Sequence, residues 1–351
     1  MLVIVSLVLA CARPSATTDV APTTAAPDAL TTAEPVPTTM KALRIHGFGE
    51  PEVLVFEDAA LPPPPAAGEL RVRVHAVGIN PLDHKVRAGM VPSLVADRFP
   101  FVLGWDLSGT VESVGAGVLG FVPGDEVYAM IDLHRGGAYA EYAIVLAGEV
   151  AIKPARLTHE QAAAMPLAGL TAWQALVEHG GIAAGQTVLV QGGSGGVGSF
   201  AVQIAKAKGA RVIATASAKN QDLLRELGAD VAIDYESTKF ETVAKDVDIV
   251  LDTVGGETLA RSIGVVKSGG IVVSIVAAPD AAALEARGVR GKRMIVHPDA
   301  AALAELRTLV DAERLEPVVS QVHALADGAQ AHRAVATGHT RGKIVLRVVH
   351  H

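Results

Sequence analysis

Short apolar segments, separated by glycine, proline and polar residues, follow one another along the chain from Met40 onward. Several early segments alternate between apolar and polar positions, which is typical of strands with one buried face. They predict strands at Leu70–Val77, Gly109–Val114 and Glu126–Met130. The first part of the chain is therefore expected to be mainly β.

After about Leu157, short apolar strands alternate with segments of helical periodicity. The predicted strands are Thr187–Gln191, Arg211–Thr215, Val231–Ile233, Asp248–Leu251 and Gly270–Ile275, with a last strand at Lys343–Val348. The predicted helices are Val197–Lys208, Gln221–Leu227, Ala300–Asp311 and Gly328–Thr337. This alternation predicts an α/β fold with a doubly wound parallel sheet and helices on both of its faces.

Residues 1–39 differ from the rest of the chain. An apolar segment, Met1–Ala10, precedes a tract of Ala, Thr and Pro that is typical of an extended linker. Val8–Cys11 resembles a lipobox, although Leu9 is bulky for that motif and no Lys or Arg precedes it. Two interpretations stay open: a lipoprotein signal that places a lipid on Cys11, or an artefact of start-site choice, with the fold beginning at Met40.

Charge and composition exclude several classes of protein. The 351 residues carry a net charge of -7 and contain one cysteine. A nucleic-acid partner is not expected, because no broad cationic face can form. A disulfide framework and a multi-cysteine zinc site are excluded as well. No apolar run is long enough for a membrane-spanning helix, so membrane attachment depends on lipidation of Cys11.

A glycine-rich motif carries the most specific chemistry. Gly193, Ser194, Gly195, Gly196, Val197 and Gly198 match G-x-G-x-x-G between a predicted strand and a predicted helix. This is the setting of a dinucleotide-binding turn. We expect the first glycine to make the tight turn, the second to admit the pyrophosphate, and the third to pack the helix against the strand. The backbone amides at the helix start then face the phosphates.

The residues after the second strand of the predicted sheet distinguish the two common dinucleotides. An Asp or Glu about 20 residues after the fingerprint begins usually holds a free ribose 2'-hydroxyl. Here the segment 215–220 contains no acid and offers Ser217 and Lys219 instead. A hydroxyl and a cation suit a 2'-phosphate, which predicts NADP(H). Lys219 is equally consistent with a solvated residue at a helix start.

Six motifs in a fixed order carry a family resemblance: GFGEPEVL at 47–54, GINPLDHK at 78–85, LGWDLSG at 103–109, PLAGLTA at 166–172, the fingerprint, and DTVGG at 252–256. In this order they resemble the medium-chain dehydrogenase/reductase superfamily, specifically its zinc-independent quinone oxidoreductase branch, which includes alkenal and enone reductases. The resemblance runs from Met40 to Val349.

The resemblance implies a Rossmann domain inserted in a mainly β, GroES-like catalytic domain. The expected parts are the signal-like segment and linker at 1–39, the GroES-like domain at 40–164, the NADP-binding Rossmann domain at 165–297, and a C-terminal return to the catalytic domain at 298–351. The substrate is expected in the cleft between the two domains.

Asn80 and Trp105 stand where zinc-dependent alcohol dehydrogenases carry a catalytic cysteine and a histidine. The resemblance therefore implies a site without metal, which favours electron-poor acceptors such as quinones and α,β-unsaturated carbonyls. The resemblance also implies that Asn80 donates a hydrogen bond to the acceptor, and that Lys85 stabilises the enolate or relays a proton. Asn80 is equally explained as a turn residue before Pro81, and Lys85 as a solvated side chain.

By the same resemblance, Thr171 contacts the nicotinamide side of the cofactor, Tyr235 lies near the adenosine phosphate, and the backbone at Val276 lies near the carboxamide. The expected partner is a small electrophilic acceptor, a homodimer is compatible with the sequence, and the enzyme core is expected in the cytoplasm. Two other functions stay open: an NADPH-binding protein without turnover, and a membrane-anchored lipoprotein with a binding role.

Overall fold

The computed structural model describes residues 38–95 and 98–350. The strands in these ranges are β1 Thr39–Ile45, β2 Leu54–Ala60, β3 Glu69–Ile79, β4 Phe101–Val102, β5 Asp106–Val114, β6 Glu126–Met130, β7 Tyr142–Leu146, β8 Val150–Ile152, β9 Thr187–Gln191, β10 Arg211–Ala216, β11 Val231–Asp234, β12 Val247–Asp252, β13 Val266–Ser274, β14 Arg290–Arg293, β15 Val319–Ala324 and β16 Lys343–Arg347. The α-helices are α1 Pro81–Arg87, α2 His159–Ala163, α3 Pro166–Trp173, α4 Gly196–Ala207, α5 Gln221–Glu226, α6 Gly256–Ile263, α7 Ala281–Arg287, α8 Ala300–Asp311 and α9 Gly328–Ala336.

Six parallel strands form a doubly wound sheet with the order β11-β10-β9-β12-β13-β14. The chain enters at β9, adds β10 and β11 on one side, and then crosses to build β12, β13 and β14 on the other. The crossing leaves a crevice at the carboxyl ends of β9 and β12, where sheets of this type bind ligands. The predicted α/β fold with a doubly wound parallel sheet is confirmed.

The edge strand β14 was not expected from the sequence. It reads Arg-Gly-Lys-Arg, and all four residues are exposed, so no apolar pattern marks it. It joins the sheet through parallel pairing with β13, from Ile271 opposite Arg290 to Ser274 opposite Arg293. Its charged side chains are typical of an edge strand, which must remain hydrated.

The remaining strands form the mainly β part of the molecule. A seven-stranded sheet has the order β15-β16-β3-β5-β6-β8, with β7 also paired to β3, and a smaller sheet has the order β2-β1-β4. The C-terminal strand β16 pairs antiparallel with β3, with Ile344 opposite Ile79. The end of the chain therefore returns to the sheet built by its beginning, as expected for a GroES-like arrangement, while the domain boundaries stay a prediction.

Helix α3 joins the two parts of the molecule. All eight of its residues are buried, and it packs against α4 of the parallel-sheet region and against α8 and β6. A π-helical segment, Gln174–His179, continues it and contacts β12 and β13. Any group that fixes the start of α3 therefore also fixes how the two parts meet.

The described chain begins slightly before the predicted start at Met40. Thr39 pairs with Ala60 in β1 and β2, and the carbonyl of Thr38 accepts a hydrogen bond of 3.0 Å from the amide of Leu61. The predicted signal at Met1–Cys11 and the predicted linker as far as residue 37 lie outside the described residues, whereas Thr39, the last residue of that predicted segment, belongs to β1. Among the residues described, no helix has the length and apolar character needed to cross a membrane.

A chain that begins at Thr38 should fold like the full chain, because every pairing of β1 is retained. We expect its melting temperature to lie within about 2 °C of that of the full chain. A chain that begins at Arg44 is the control, since it loses the buried side chains of Met40, Ala42 and Leu43 and should unfold at a clearly lower temperature. A large loss of stability in the Thr38 chain would show that the first 37 residues are structural.

Candidate functional site

The turn after β9 has the geometry of a dinucleotide-binding loop. Gly192 has φ +74°, and its amide donates to Thr215 Oγ1 at 3.1 Å. The predicted first glycine, Gly193, does not have a positive φ, so the expectation that it makes the tight turn was wrong by one residue. Only glycine fits at position 193, because a Cβ there would lie 2.9 Å from Ala214 Cβ and from Leu224 Cδ2.

Two later glycines of the turn have different roles, one in packing and one in leaving space for a ligand. A Cβ on Gly198 would lie 2.1 Å from the carbonyl oxygen of Gly192, so this glycine lets α4 pack against the turn, as predicted. Gly195 is the N-cap of α4, and a Cβ there would meet protein only at 3.4 Å. The amides of Gly196, Val197 and Gly198 have no acceptor within the helix because they form its first turn. The partly exposed turn therefore suits a phosphate group.

The predicted adenosine-side residues meet at the ends of two neighbouring strands. Ser217 directly follows β10, and Tyr235 directly follows β11 with its amide donating to Ala216 O at 3.2 Å. Ser217 Oγ accepts from Asn220 Nδ2 at 3.2 Å, and Lys219 is exposed on the following turn. Asp234, which ends β11, is bonded to its own turn through Ser237 Oγ at 2.8 Å.

Val276 lies on the same edge of the sheet, after β13. Its amide donates to Ser274 Oγ at 3.2 Å, and that hydroxyl donates to the buried Asp252 at 2.7 Å. Its side chain lies beside Gly255, which follows β12. The predicted cofactor residues Gly193–Gly198, Ser217, Tyr235 and Val276 therefore all follow strands of the parallel sheet, at their carboxyl ends.

Thr171, the predicted nicotinamide contact, lies on α3 and is buried. Its Oγ1 donates to Leu167 O at 2.6 Å. The amide of Leu167 in turn donates to Asp106 Oδ1 at 2.7 Å. Two hydrogen bonds through Leu167 therefore connect Thr171 to the carboxylate of Asp106, at the start of β5.

A buried charged cluster surrounds Asp106, and of its members only Asn80 was predicted as a site residue. Asp106 Oδ2 accepts from Asn80 Nδ2 at 2.9 Å and lies 3.3 Å from the ammonium of Lys343, which also donates to Asn80 Oδ1. Lys343 is 3% exposed and Asp106 is 0% exposed. Each charge begins a strand whose next residues are largely apolar, Asp106 in β5 and Lys343 in β16, and this is the signal that could have identified them.

The two predicted catalytic residues differ in their surroundings. Asn80 is 2% exposed, and its amide group is engaged by Asp106 and Lys343. It also starts α1, where its backbone amide donates to Asp83 Oδ2 at 2.7 Å. Lys85 lies on the exposed side of α1, and its side chain makes no hydrogen bond or ion pair in the described part of the chain. Their catalytic roles remain proposals.

Trp105, the second position that zinc enzymes use, is buried, and its Nε1 donates to Leu133 O at 3.0 Å. Within residues 38–95 and 98–350, no three His, Cys, Asp or Glu side chains are grouped so that they could hold a metal ion. Whether activity is independent of metal stays a prediction.

A second buried acid lies behind Asn80. Burial raises the pKa of Asp83 to about 7, and the nearby carboxylate of Asp106 adds to this, while the amide of Asn80, the Tyr139 hydroxyl and Lys343 oppose it. Tyr139 continues the cluster, with its hydroxyl 3.3 Å from His332 Nε2. Burial lowers the pKa of His332 to about 3, so this imidazole is neutral. Asp83 and Asp106 are therefore both buried, the Lys343 ammonium pairs with Asp106, and Asp83 loses its proton only near neutral pH.

Two family models match this chain. Residues 66–155 match the alcohol dehydrogenase GroES-like domain, and residues 227–346 match a model described as zinc-binding dehydrogenase. The mitochondrial NAD(P)H oxidoreductase RTN4IP1 of Danio rerio is 35% identical, over 89% of this chain and 92% of that protein. The chloroplastic NADPH-dependent alkenal/one oxidoreductase of Arabidopsis thaliana is 33% identical, over 89% of this chain and 80% of that protein.

Solved structures of quinone oxidoreductases have a similar fold. The quinone oxidoreductase of Coxiella burnetii superposes with a TM-score of 0.82 at 34% identity, over 89% of this chain and all of that one. The quinone oxidoreductase of Escherichia coli, solved in complex with NADPH, superposes with a TM-score of 0.78 at 30% identity, over 88% of this chain and 99% of that one.

Asp83→Asn should change how stability depends on pH. The folded state keeps Asp83 protonated up to about pH 7, whereas the unfolded chain ionises it near its ordinary pKa of 3.8. Folding therefore loses stability from this group as the pH rises from about 4 to about 7, and the loss is complete above that range. The amide oxygen of Asn can still accept from Asn80 N, so the variant should become progressively more stable relative to the parent across this range. Thermal melts at half-unit pH steps measure this difference, and a constant difference would show that Asp83 ionises normally.

Proposed function

The chain belongs to the medium-chain dehydrogenase/reductase superfamily, in its quinone oxidoreductase and enone reductase branch, and from this membership we propose that it is an NADPH-dependent oxidoreductase that reduces a quinone or an α,β-unsaturated carbonyl. The observation that carries the proposal is the turn at Gly192–Gly198, positioned next to the buried cluster of Asn80, Asp106 and Lys343. The relatives named for alkenal and quinone reduction extend over nearly nine tenths of the chain.

The residues around the turn fit a 2'-phosphorylated dinucleotide. The 12-residue helix α4 presents its N-terminus at the turn, and Gly195 leaves room for a phosphate to approach the backbone. No carboxylate follows β10 directly, and the first acid beyond it, Asp222, is paired with Arg225 at 2.6 Å. Ser217 and Lys219 then provide a donor and a charge for the 2'-phosphate.

Bound NADPH would supply a hydride from its nicotinamide C4. In an enone the hydride forms a bond to the β-carbon, the C=C electrons shift to give negative charge on the carbonyl oxygen, and the α-carbon then takes a proton. We assign Asn80 to the wall of this site, next to Lys343, and Lys85 to its mouth, where a cation stabilises the enolate or passes on the proton. Thr171 orients the nicotinamide side, and Val276 offers backbone groups to the carboxamide.

We further propose that the enzyme works in the cytoplasm, where NADPH is supplied. The alternative is attachment to a membrane through a lipid on Cys11. Some relatives are named as mitochondrial or chloroplastic, so the compartment needs its own test. Fractionation of the native protein distinguishes the two, and sedimentation of the pure protein tests whether it forms a homodimer.

Steady-state oxidation of NADPH with a panel of quinones, alkenals and simple ketones tests the activity. We expect turnover with the activated acceptors and little with simple ketones, both before and after exhaustive chelation. Tight NADPH binding without oxidation by any acceptor would favour the non-catalytic alternative. Loss of turnover on chelation, restored by stoichiometric zinc, would contradict the assignment of a metal-free site.

The preference for NADPH should depend on Ser217 and Lys219. We expect Lys219→Ala to weaken NADPH binding about tenfold and leave NADH binding unchanged, because one charge-assisted hydrogen bond to the 2'-phosphate is lost. Ser217→Asp should favour NADH, since a carboxylate pairs with ribose hydroxyls and repels phosphate. Titrations at two salt concentrations should show the NADPH advantage shrinking as salt rises. Equal dissociation constants for NADPH and NADH in the parent protein would overturn the assignment.

Lys85→Ala should lower turnover without weakening NADPH binding, because the proposed contact forms as charge develops on the acceptor. Lys245→Ala is the matched control, since Lys245 is an equally exposed lysine on the parallel-sheet part, before β12. Turnover numbers and NADPH dissociation constants of both variants measure the effect. If the two variants keep the same turnover number as the parent, Lys85 is a solvated surface residue.

A further inference from the structure

Gly342 and Lys343 connect the dinucleotide-binding turn to the buried cluster. The amide of Gly342 donates to Ser194 O at 2.9 Å, and Gly342 forms a β-bridge with Gly195. Gly342 has φ +61°, and a Cβ on it would lie 2.1 Å from Val318 O, so only glycine fits this contact. The next residue, Lys343, extends its side chain past Gly196 to Asp106.

Asp106 connects the cluster to α3. One of its oxygens accepts from the amide of Leu167, the second residue of α3, while the other faces Asn80 Nδ2 and the Lys343 ammonium. Burial raises the pKa of Asp106, and the ammonium of Lys343 is the largest influence that opposes this rise. Lys343 therefore favours the ionised carboxylate, which can accept all three hydrogen bonds at once.

We propose that Lys343 and Asp106 are positioning residues that set the distance between the phosphate-binding turn and α3, so that Thr171 is already in place for the nicotinamide half of the cofactor. The inference rests on the proposed function only in taking NADPH as the ligand. Neither residue needs to touch the cofactor. The backbone of Gly342 is fixed at the turn, the Lys343 side chain spans to Asp106, and Asp106 holds the start of α3.

The effect should be specific to one half of the cofactor. Loss of the ammonium leaves Asp106 buried without its cation, so the carboxylate takes up a proton or draws in water, and its bond to Leu167 weakens. The turn, Ser217, Lys219 and Tyr235 are not held by this ion pair, because the Gly342 contact is made by backbone atoms. The nicotinamide side should therefore lose affinity while the adenosine side keeps it.

The test compares Lys343→Met with Lys153→Met. Methionine retains most of the length and packing of lysine and removes the charge. Lys153 is the matched control because it is 5% exposed and lies 3.2 Å from Glu126, but its side chain bonds to Pro154 and Leu157 and not to α3 or the turn. Dissociation constants for NADPH and for 2'-phospho-ADP, which lacks the nicotinamide half, are measured together with the melting temperature of the free protein.

For Lys343→Met we expect NADPH binding to weaken about tenfold or more, and 2'-phospho-ADP binding to stay within about twofold. Lys153→Met should lower the melting temperature without changing either dissociation constant. If Lys343→Met does not fold, Lys343→Met/Asp106→Asn removes the remaining charge and should show the same selective loss. Equal weakening of both ligands, or of neither, would overturn the inference. Failure of the parent protein to bind NADPH would instead contradict the proposed function.

Discussion

The carboxylate of Asp106 is the contact on which the candidate site depends. A fully buried charge is costly unless it is paired and hydrogen-bonded, and Asp106 meets both conditions by drawing on three separate elements: β16 through Lys343, the start of α1 through Asn80, and α3 through Leu167. The same carboxylate therefore fixes the C-terminal strand, the Asn80 turn and the helix that carries Thr171. Removing Lys343 would leave the buried carboxylate without a counter-charge, and removing Asp106 would leave the buried ammonium without one, so the two charges depend on each other.

The buried cluster carries little net charge. Lys343 balances Asp106, and burial raises the pKa of Asp83 to about 7, so below this pH the buried charges nearly cancel. A site with this balance can stabilise a developing oxyanion by hydrogen bonds from fixed groups without large rearrangement. Electron-poor acceptors need only that degree of help, in agreement with the quinone and alkenal reductases among the relatives.

Local pattern predicted the parallel sheet well because its strands are buried on both faces and read as continuous apolar runs. The strand Thr187–Gln191 and the helix Ala300–Asp311 have the predicted bounds. The edge strand Arg290–Arg293 was not predicted, since its stability comes from pairing with β13 and not from apolar burial. The glycine-rich turn lies between a strand and a helix as predicted, but the position of the positive φ depends on how the turn packs against Thr253 and Thr215, which are distant in sequence. Asp106 and Lys343 are 237 residues apart, so no local pattern could bring them together.

Transfer of deuterium from NADPH labelled at C4 tests whether this protein passes a hydride directly to the β-carbon of an acceptor. An alkenal is incubated with the protein and with NADPH carrying deuterium at one face of C4 and then at the other, and the product is examined by mass spectrometry and NMR. Direct hydride transfer predicts one deuterium at the β-carbon from one of the two labelled cofactors and none from the other, with the hydrogen added at the α-carbon coming from solvent. Oxidation of labelled NADPH with no deuterium at the β-carbon in either case would contradict direct hydride transfer in this site.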